Sequence, residues 1–362
     1  MTAFQPPNGL SKTLLAETQR LRAAWQRHDA AFLDTYLIRD VEDPRINIQS
    51  ILTRHFLIRE LFQDRYADIM EHELYFALTV NWLLALLKSS RPRNEIHLHT
   101  GAVLDGLLAG DEDKNATAVP PFIAEAFGKL AFPNYISELL MWVPREHDTE
   151  SMPEYLLNIF QRIWAETLAL EQARPIRVIE PACGSANDYR FLVGYGLDTF
   201  LDYTGLDICE KNISNALRRF PDIDFQTASI FDIPADDKGY DYCFVHDLFE
   251  HLSPEGIGRA VSEIYRVTKS RIFLHFFNMD DIDEDVISRK NGYHWNRLSS
   301  PRMKNRFFLQ PTRINEWHLT TWLDRRFVWS DYHNPYARSW RIDVGAVASA
   351  DRHPIPFGFG PF

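Results

Sequence analysis

Val178-Ile-Glu-Pro-Ala-Cys-Gly-Ser-Ala-Asn187 is the stretch that decides the fold. Val178 and Ile179 are β-branched and apolar, the composition of a buried strand. Glu180 sets a carboxylate at the strand's end. Ala182, Gly184 and Ala186 then supply small residues before Asn187 opens a helix. A strand-to-helix turn built from small residues lets the backbone bend sharply and approach a ligand closely. An ordinary turn with no ligand uses the same residues.

Downstream, residues 203–208, 224–228, 240–246 and 272–277 read as further strands. Residues 187–195, 210–220 and 254–269 read as the helices between them. Strands alternating with helices build a parallel sheet. Residues 313–323 are expected as a helix, and 327–332 with 341–349 as a closing pair of strands. The fold class expected is α/β: a doubly wound, mostly parallel seven-stranded sheet. About 35 residues, 278–312, separate the fifth strand from its helix, where α/β connections usually take about 2–6. An insertion leaving the carboxyl end of a strand is expected to cover the active site.

Upstream, residues 1–150 read as almost wholly helical. Leu14, Leu15, Leu21, Ala24, Trp25 and Leu37, then Ile51, Leu52, Phe56, Leu57, Leu61 and Phe62, recur at helical spacing. Residues 109–117 read as a polar loop, and Pro133 and Pro144 punctuate the segment after it. Residues 153–172 form an amphipathic helix with Leu156, Leu157, Phe160, Ile163, Trp164 and Leu168 as its apolar stripe. Two domains are expected. Residues 1–150 make a helical domain that serves as a substrate lid or a homodimer interface, and 151–362 carry the sheet.

The chain has 362 residues, 45% hydrophobic and 25% charged, as in an ordinary globular protein. Its formal net charge of −11 opposes nucleic acid as a partner, because neutralising phosphates takes a basic excess. A local basic patch remains at Arg289, Lys290, Arg297, Arg302, Lys304 and Arg306. Cys183, Cys209 and Cys243 have no C-x-x-C spacing, which argues against a zinc site and for reduced thiols. Residues 1–10 lack the apolar run of a signal peptide. The longest apolar stretch, 75–87, is far shorter than the ~20 residues that cross a bilayer. A cytoplasmic location with no membrane partner is expected.

Residues 174–350 resemble the class I S-adenosylmethionine-dependent methyltransferases. The 178–187 stretch resembles the family's first motif, with Ala182 and Ala186 where glycines are common. Asp207 ends its strand where the family places the acid that receives both ribose hydroxyls. An ionised carboxylate accepts two hydrogen bonds at once, and Asp207 equally suits the N-cap of the following helix. Asp232 stands where the family's acid contacts the adenine amino group, with Phe231 or Ile233 on the ring face; a solvated loop acid is the alternative. The resemblance implies that S-adenosylmethionine is held by Glu180, Ala182, Gly184, Asp207, Ile208, Asp232, Ile233 and His246. A nicotinamide oxidoreductase shares this fold, but residues 183–188 put one glycine where G-x-G-x-x-G asks for three.

Asp247, Glu250 and His251 follow the fourth strand at i, i+3 and i+4, one face if the run is helical. This D-x-x-E-H resembles the E-x-x-E-H of metal-assisted O-methyltransferases. That implies a divalent cation such as magnesium on Asp247, Glu250 and His251, completed by His275 or His294 and lowering the pKa of a substrate hydroxyl. Without a metal, His246 or His251 serves as general base, or the enzyme only aligns its substrates. His275, Tyr293, His294, Asn296 and Arg297 are the candidate acceptor contacts, since aromatic and amide groups together suit a sugar-like small molecule. The same residues suit a lid anchored on the core. The expected function is methyl transfer to oxygen of a small-molecule acceptor. A non-catalytic cofactor-binding protein and an RNA 2′-O-methyltransferase are the alternatives.

Overall fold

The computed structural model of the chain describes residues 10–26, 42–109, 120–128, 135–142, 152–308 and 311–349. Leu37, Pro133, Pro144 and most of the expected 109–117 loop lie outside them.

Nine strands occur among the described residues. They are β1 (Ile176–Pro181), β2 (Leu201–Asp207), β3 (Asp224–Thr227), β4 (Tyr240–His246), β5 (Thr268–Phe276), β6 (Met279–Asp280), β7 (Leu298–Ser299), β8 (Thr312–His318) and β9 (Arg338–Val344). Seven of them make one sheet in the order β3-β2-β1-β4-β5-β9-β8, while β6 and β7 pair with each other inside the insertion. β1 runs parallel to β2 and β4, and β4 runs parallel to β5. β9 is antiparallel to both β5 and β8. The sheet is therefore doubly wound and mostly parallel, as expected.

The C-terminal end departs from the expectation. Residues 313–323 are not one helix, because Thr312–His318 is β8 and the helix is Leu319–Phe327. Residues 327–332 form no strand; the last strand is β9, followed by the short helix Ala346–Ser349. Local pattern misreads β8 because the partners of its polar residues come from elsewhere in the chain. Glu316 Oε1 accepts from Arg338 Nη1 at 2.8 Å, from Trp340 Nε1 at 3.1 Å and from the Ser300 hydroxyl at 2.9 Å.

Alternation along the strands splits the core in two. Val178, Tyr203, Phe244 and Phe273 face the N-terminal helices. Ile179, Leu206, Cys243, Val245 and Leu274 face the helix Pro254–Val267. The helix Ile48–Phe62 packs directly on the first face, with the Phe56 ring 5.0 Å from Phe273 and 5.2 Å from Trp317. Gln49 Nε2 donates to the carbonyls of Phe276 and Arg338 at 3.2 and 3.1 Å, which ties this helix to the ends of β5 and β9. One apolar core thus crosses the boundary expected near residue 150. Gly205 is needed in β2, since a Cβ there would lie 2.6 Å from the Phe225 ring and 2.9 Å from Cys183 Sγ.

The expected helix 153–172 breaks at Asn158 into Glu154–Leu157 and Ile159–Leu168, with its stripe buried apart from half-buried Ile163. The apolar stretch 75–87 lies in the helix Ala67–Lys88, whose residues from Tyr75 to Leu84 are buried. No helix among the described residues is long and apolar enough to cross a membrane. The strand order reverses between β1 and β4, and ligands of open α/β sheets bind beyond the carboxyl ends of the strands at such a reversal.

Candidate active site

A cleft opens at that reversal. Its walls are Ala182, Gly184 and Asn187 after β1, Leu206 to Ile208 at the end of β2, and Ala228 to Phe231 after β3. His246, Asp247, Leu248, His251 and Leu252 follow from β4. Leu21 reaches the cleft from the N-terminal helix Lys12–Trp25. Glu17 ties that helix down by accepting from the Ser253 amide and hydroxyl.

The first turn keeps left-handed geometry without a full set of glycines. Ala182, Gly184 and Ala186 have φ of 64°, 58° and 63°, a region that costs an L-residue roughly 1–2 kcal/mol. Asp207 braces the turn from the next strand. Its Oδ2 accepts from the Gly184 amide at 3.0 Å, and its Oδ1 accepts from the Cys209 amide at 2.7 Å and Asn212 Nδ2 at 3.3 Å. The side chain thus braces the turn and the approach to the following helix while lining the cleft; it is not the N-cap of that helix, a position Cys209 holds without a side-chain cap bond. Burial pushes its carboxyl up, and these donors oppose the shift. A carboxylate offers about four acceptor sites, which leaves capacity for a ligand hydroxyl.

Several expected contacts lie elsewhere. After β3 the wall is Ser229, Ile230 and Phe231; Asp232 does not line it, and Ile233 is a core residue whose amide donates to Glu263 Oε2 at 2.8 Å. Glu180 is buried behind the cleft, where it accepts from the Tyr203 hydroxyl. Asn296 is fully buried; its Nδ2 donates to the Leu252 carbonyl at 2.7 Å and its Oδ1 accepts from the Ser288 amide at 3.2 Å, so an acceptor does not reach it. Arg297 pairs with Asp280 and stacks on Tyr336. Tyr293 and His294 line a second recess, which shares Leu21 with the cleft.

The two histidines at the end of β4 and β5 differ in charge. His246 Nδ1 donates to Asp188 Oδ2 at 2.7 Å, and Glu180 Oε1 lies 3.9 Å away. Burial alone would lower this imidazole, but Asp188 and Glu180 outweigh it and push it up to about 9. Thr53 Oγ1 sits 3.1 Å from His246 Nε2 and 2.5 Å from His275 Nε2, and His275 Nδ1 is 2.8 Å from the Ser339 hydroxyl. His275 is buried, and burial together with the His246 charge holds it neutral. His275 therefore does not line the cleft. His246, as a cation at neutral pH, has no lone pair with which to act as a base. Sequence reasoning missed Asp188 and Thr53, because they lie 58 and 193 residues from His246.

His251 has the opposite character. It lines the cleft from the 3₁₀ turn Phe249–His251, and burial pulls its imidazole below the ordinary value against a hydrogen bond to His294. Nδ1 donates to the His294 carbonyl at 3.1 Å. In a neutral ring with that tautomer the lone pair is on Nε2. Phe277, Tyr293 and Trp295 surround the ring at 5.4, 5.7 and 5.4 Å between centroids. Asp247 opens onto the cleft at φ 46°. The low-polarity walls around it push its carboxyl up, and His246 opposes this.

The D-x-x-E-H run does not assemble a cation site. Glu250 is fully buried, and its Oε1 accepts from the amides of Phe277 and Asn278 at 2.8 and 3.2 Å, which anchors the insertion at the end of β5. Burial and then Asp247 push the Glu250 carboxyl up to about 8, against the backbone amides it accepts from. Among the described residues, the three side chains whose ligand atoms lie within 4.8 Å of one another are Glu180, Asp188 and His246, where the ion pair already accounts for the contact.

Residues 178–271 match a family model described as a methyltransferase domain. No curated protein matches the chain. Among solved structures, an S-adenosylmethionine-dependent methyltransferase from Mesorhizobium loti is 11% identical, with a TM-score of 0.37 over 51% of this chain and 98% of that one. The 1,6-didemethyltoxoflavin-N1-methyltransferase of Burkholderia thailandensis, with S-adenosylhomocysteine bound, is 12% identical with a TM-score of 0.36, covering 51% of this chain and 75% of that one. The [4+2]-cyclase SpnF is 16% identical with a TM-score of 0.36, covering 55% and 86%. Residues 178–271 thus form a methyltransferase domain of the class I, S-adenosylmethionine-dependent type.

Proposed function

We propose that this enzyme methylates a hydroxyl oxygen of a small-molecule acceptor, with His251 as the general base. The observation that carries the reading is the neutral His251 ring in the cleft wall, with Nδ1 engaged by the His294 carbonyl and the lone pair on Nε2. When bound, S-adenosylmethionine supplies an electrophilic methyl group on a positively charged sulfur. Asp207 would receive a ribose hydroxyl, the left-handed turn at Ala182 and Gly184 admits the ligand close to the backbone, and the apolar wall Ile230 and Phe231 suits a planar base. His251 Nε2 takes the acceptor's proton as the hydroxyl oxygen becomes a nucleophile. The aromatic rings around His251 exclude water, so the hydroxyl meets the base without competition from solvent. A hydroxyl is a weak nucleophile near neutral pH and needs such a base, whereas a neutral amine needs mainly alignment.

The test has two steps. Calorimetry with S-adenosylhomocysteine checks cofactor binding. Radiolabelled methyl transfer from S-adenosylmethionine to matched hydroxyl and amine acceptors, with and without magnesium, then checks the chemistry. Transfer to hydroxyls without magnesium is expected. Transfer confined to amines overturns the oxygen assignment, and a strict magnesium requirement overturns His251 as the unaided base.

A further inference from the structure

We propose that the recess beside the cofactor cleft is an oxyanion subsite that holds a carboxylate or phosphate group of the methyl acceptor; this rests on reading the cleft as an O-methyltransferase site. The recess is lined by Glu17, Arg20 and Leu21 of the N-terminal helix and by Arg289, Lys290 and His294 of the insertion. Leu21 also lines the cleft, so the two hollows share a wall residue.

The insertion builds its side of the recess as a small hairpin. Val286 faces Arg297 and Arg289 faces His294 across antiparallel bridges. The Lys290 amide donates to the Tyr293 carbonyl at 2.8 Å, with Gly292 at φ 97°. A left-handed residue at that turn position is what glycine supplies. The hairpin therefore holds two cations at its tip. The same hairpin offers the His294 carbonyl to His251 Nδ1 at 3.1 Å, so the element that carries the cations also orients the base.

Charge makes the recess selective. Arg20, Arg289 and Lys290 form no ion pair among the described residues. The recess's one carboxylate, Glu17, is already accepting from Ser253. In a chain of net charge −11 this is a local reversal of sign, and a concave positive surface concentrates anions. His294 Nδ1 is buried with no hydrogen-bond partner, and the nearest carboxylate oxygen, of Glu17, is 4.0 Å away. Two guanidinium forks and an ammonium match the geometry of a carboxylate or a phosphate.

Inorganic phosphate and, separately, acetate are titrated calorimetrically into the full chain, alone and saturated with S-adenosylhomocysteine. Saturable phosphate or acetate binding is expected, at least about tenfold weaker in the double variant Arg289→Ala, Lys290→Ala, with affinity for S-adenosylhomocysteine unchanged. Arg289→Lys, which keeps the charge, is expected to retain anion binding. Preference for one anion supports the subsite and names the group. Equal binding by wild type and double variant, or no saturable binding of either anion, overturns it. A short single-stranded RNA that binds more tightly than phosphate and is released steeply by salt also overturns it, in favour of a nucleic-acid backbone. Failure of S-adenosylhomocysteine to bind wild type overturns the methyltransferase reading instead, and the titrations without it still decide the subsite.

Discussion

Asp188 Oδ2 lies 2.7 Å from His246 Nδ1, which makes the imidazole at the end of β4 a cation and removes it as a base. Burial raises the Asp188 carboxyl, but the charge and hydrogen bond of His246 outweigh it and hold Asp188 below its ordinary value. His246 is raised in the folded state. The stability it contributes is therefore complete below the ordinary imidazole value of 6.5 and is lost as pH rises through about 9. Asp188→Asn is expected to drop His246 below about 6.5, read by proton NMR titration. It should also cost about 1–3 kcal/mol near pH 6, with the gap to wild type narrowing above pH ~9. An unmoved His246 titration in the variant sinks this account.

Asp207→Ala removes the acceptor for three donors at once, those of Gly184, Cys209 and Asn212. One lost hydrogen bond from a ligand hydroxyl to a charged group corresponds to roughly a 10- to 100-fold loss of affinity. Calorimetry with S-adenosylhomocysteine should show that loss. The melting temperature should fall as well, because the brace on the turn and the bonds to the Cys209 amide and Asn212 disappear together. Retained affinity would remove Asp207 from the ribose.

The turn offers a test in which stability rises. Ala182 is half-buried at φ 64°, so glycine there relieves left-handed strain while giving up little buried surface. Ala182→Gly is expected to stabilise by about 0.5–1 kcal/mol in urea unfolding. Gly184→Ala should destabilise by about 1 kcal/mol, although a Cβ at Gly184 meets nothing closer than Asn187 Nδ2 at 3.8 Å. The cost would be conformational and not steric. Unchanged stability in both variants would show that the turn relaxes out of the left-handed region.

The parts of the fold that were legible are those in which local pattern and tertiary demand agree. β1, β4 and β5 are largely apolar runs ended by turn residues, and the alternation of strands with helices already implies a parallel sheet. Asp207 was legible as a carboxylate at a strand end facing the cleft, but not as a cap, since the helix after it is capped at Cys209. β8 was not, since Arg313, Asn315 and Glu316 resemble a helix surface until Arg338 and Trp340 are seen to satisfy Glu316. The D-x-x-E-H run misled for a related reason. Its spacing assumes a helical turn of free side chains, whereas Glu250 turns inward to the amides of Phe277 and Asn278. Nothing local to β4 announces that Asp188 and Glu180 determine the charge of His246 or that Thr53 bridges it to His275.

His251→Asn keeps a polar side chain of similar size and removes the base. Losing a positioned general base typically costs about 10²–10⁴-fold in rate, so kcat for hydroxyl transfer should fall by that range while affinity for S-adenosylhomocysteine stays within about twofold. The imidazole of His251 lies below its ordinary value of 6.5, so the unprotonated base persists into mildly acidic solution. The wild-type rate should therefore be flat above neutrality, with its acid limb displaced below the ordinary imidazole value, and the acid limb should vanish in the variant. An acid limb that survives His251→Asn would assign the ionisation to another group, with Asp247 the first to examine because it shares the cleft and its carboxyl is pushed up. A rate unchanged by the substitution would mean that alignment alone suffices, and the acceptor would then be sought among amines and thiols.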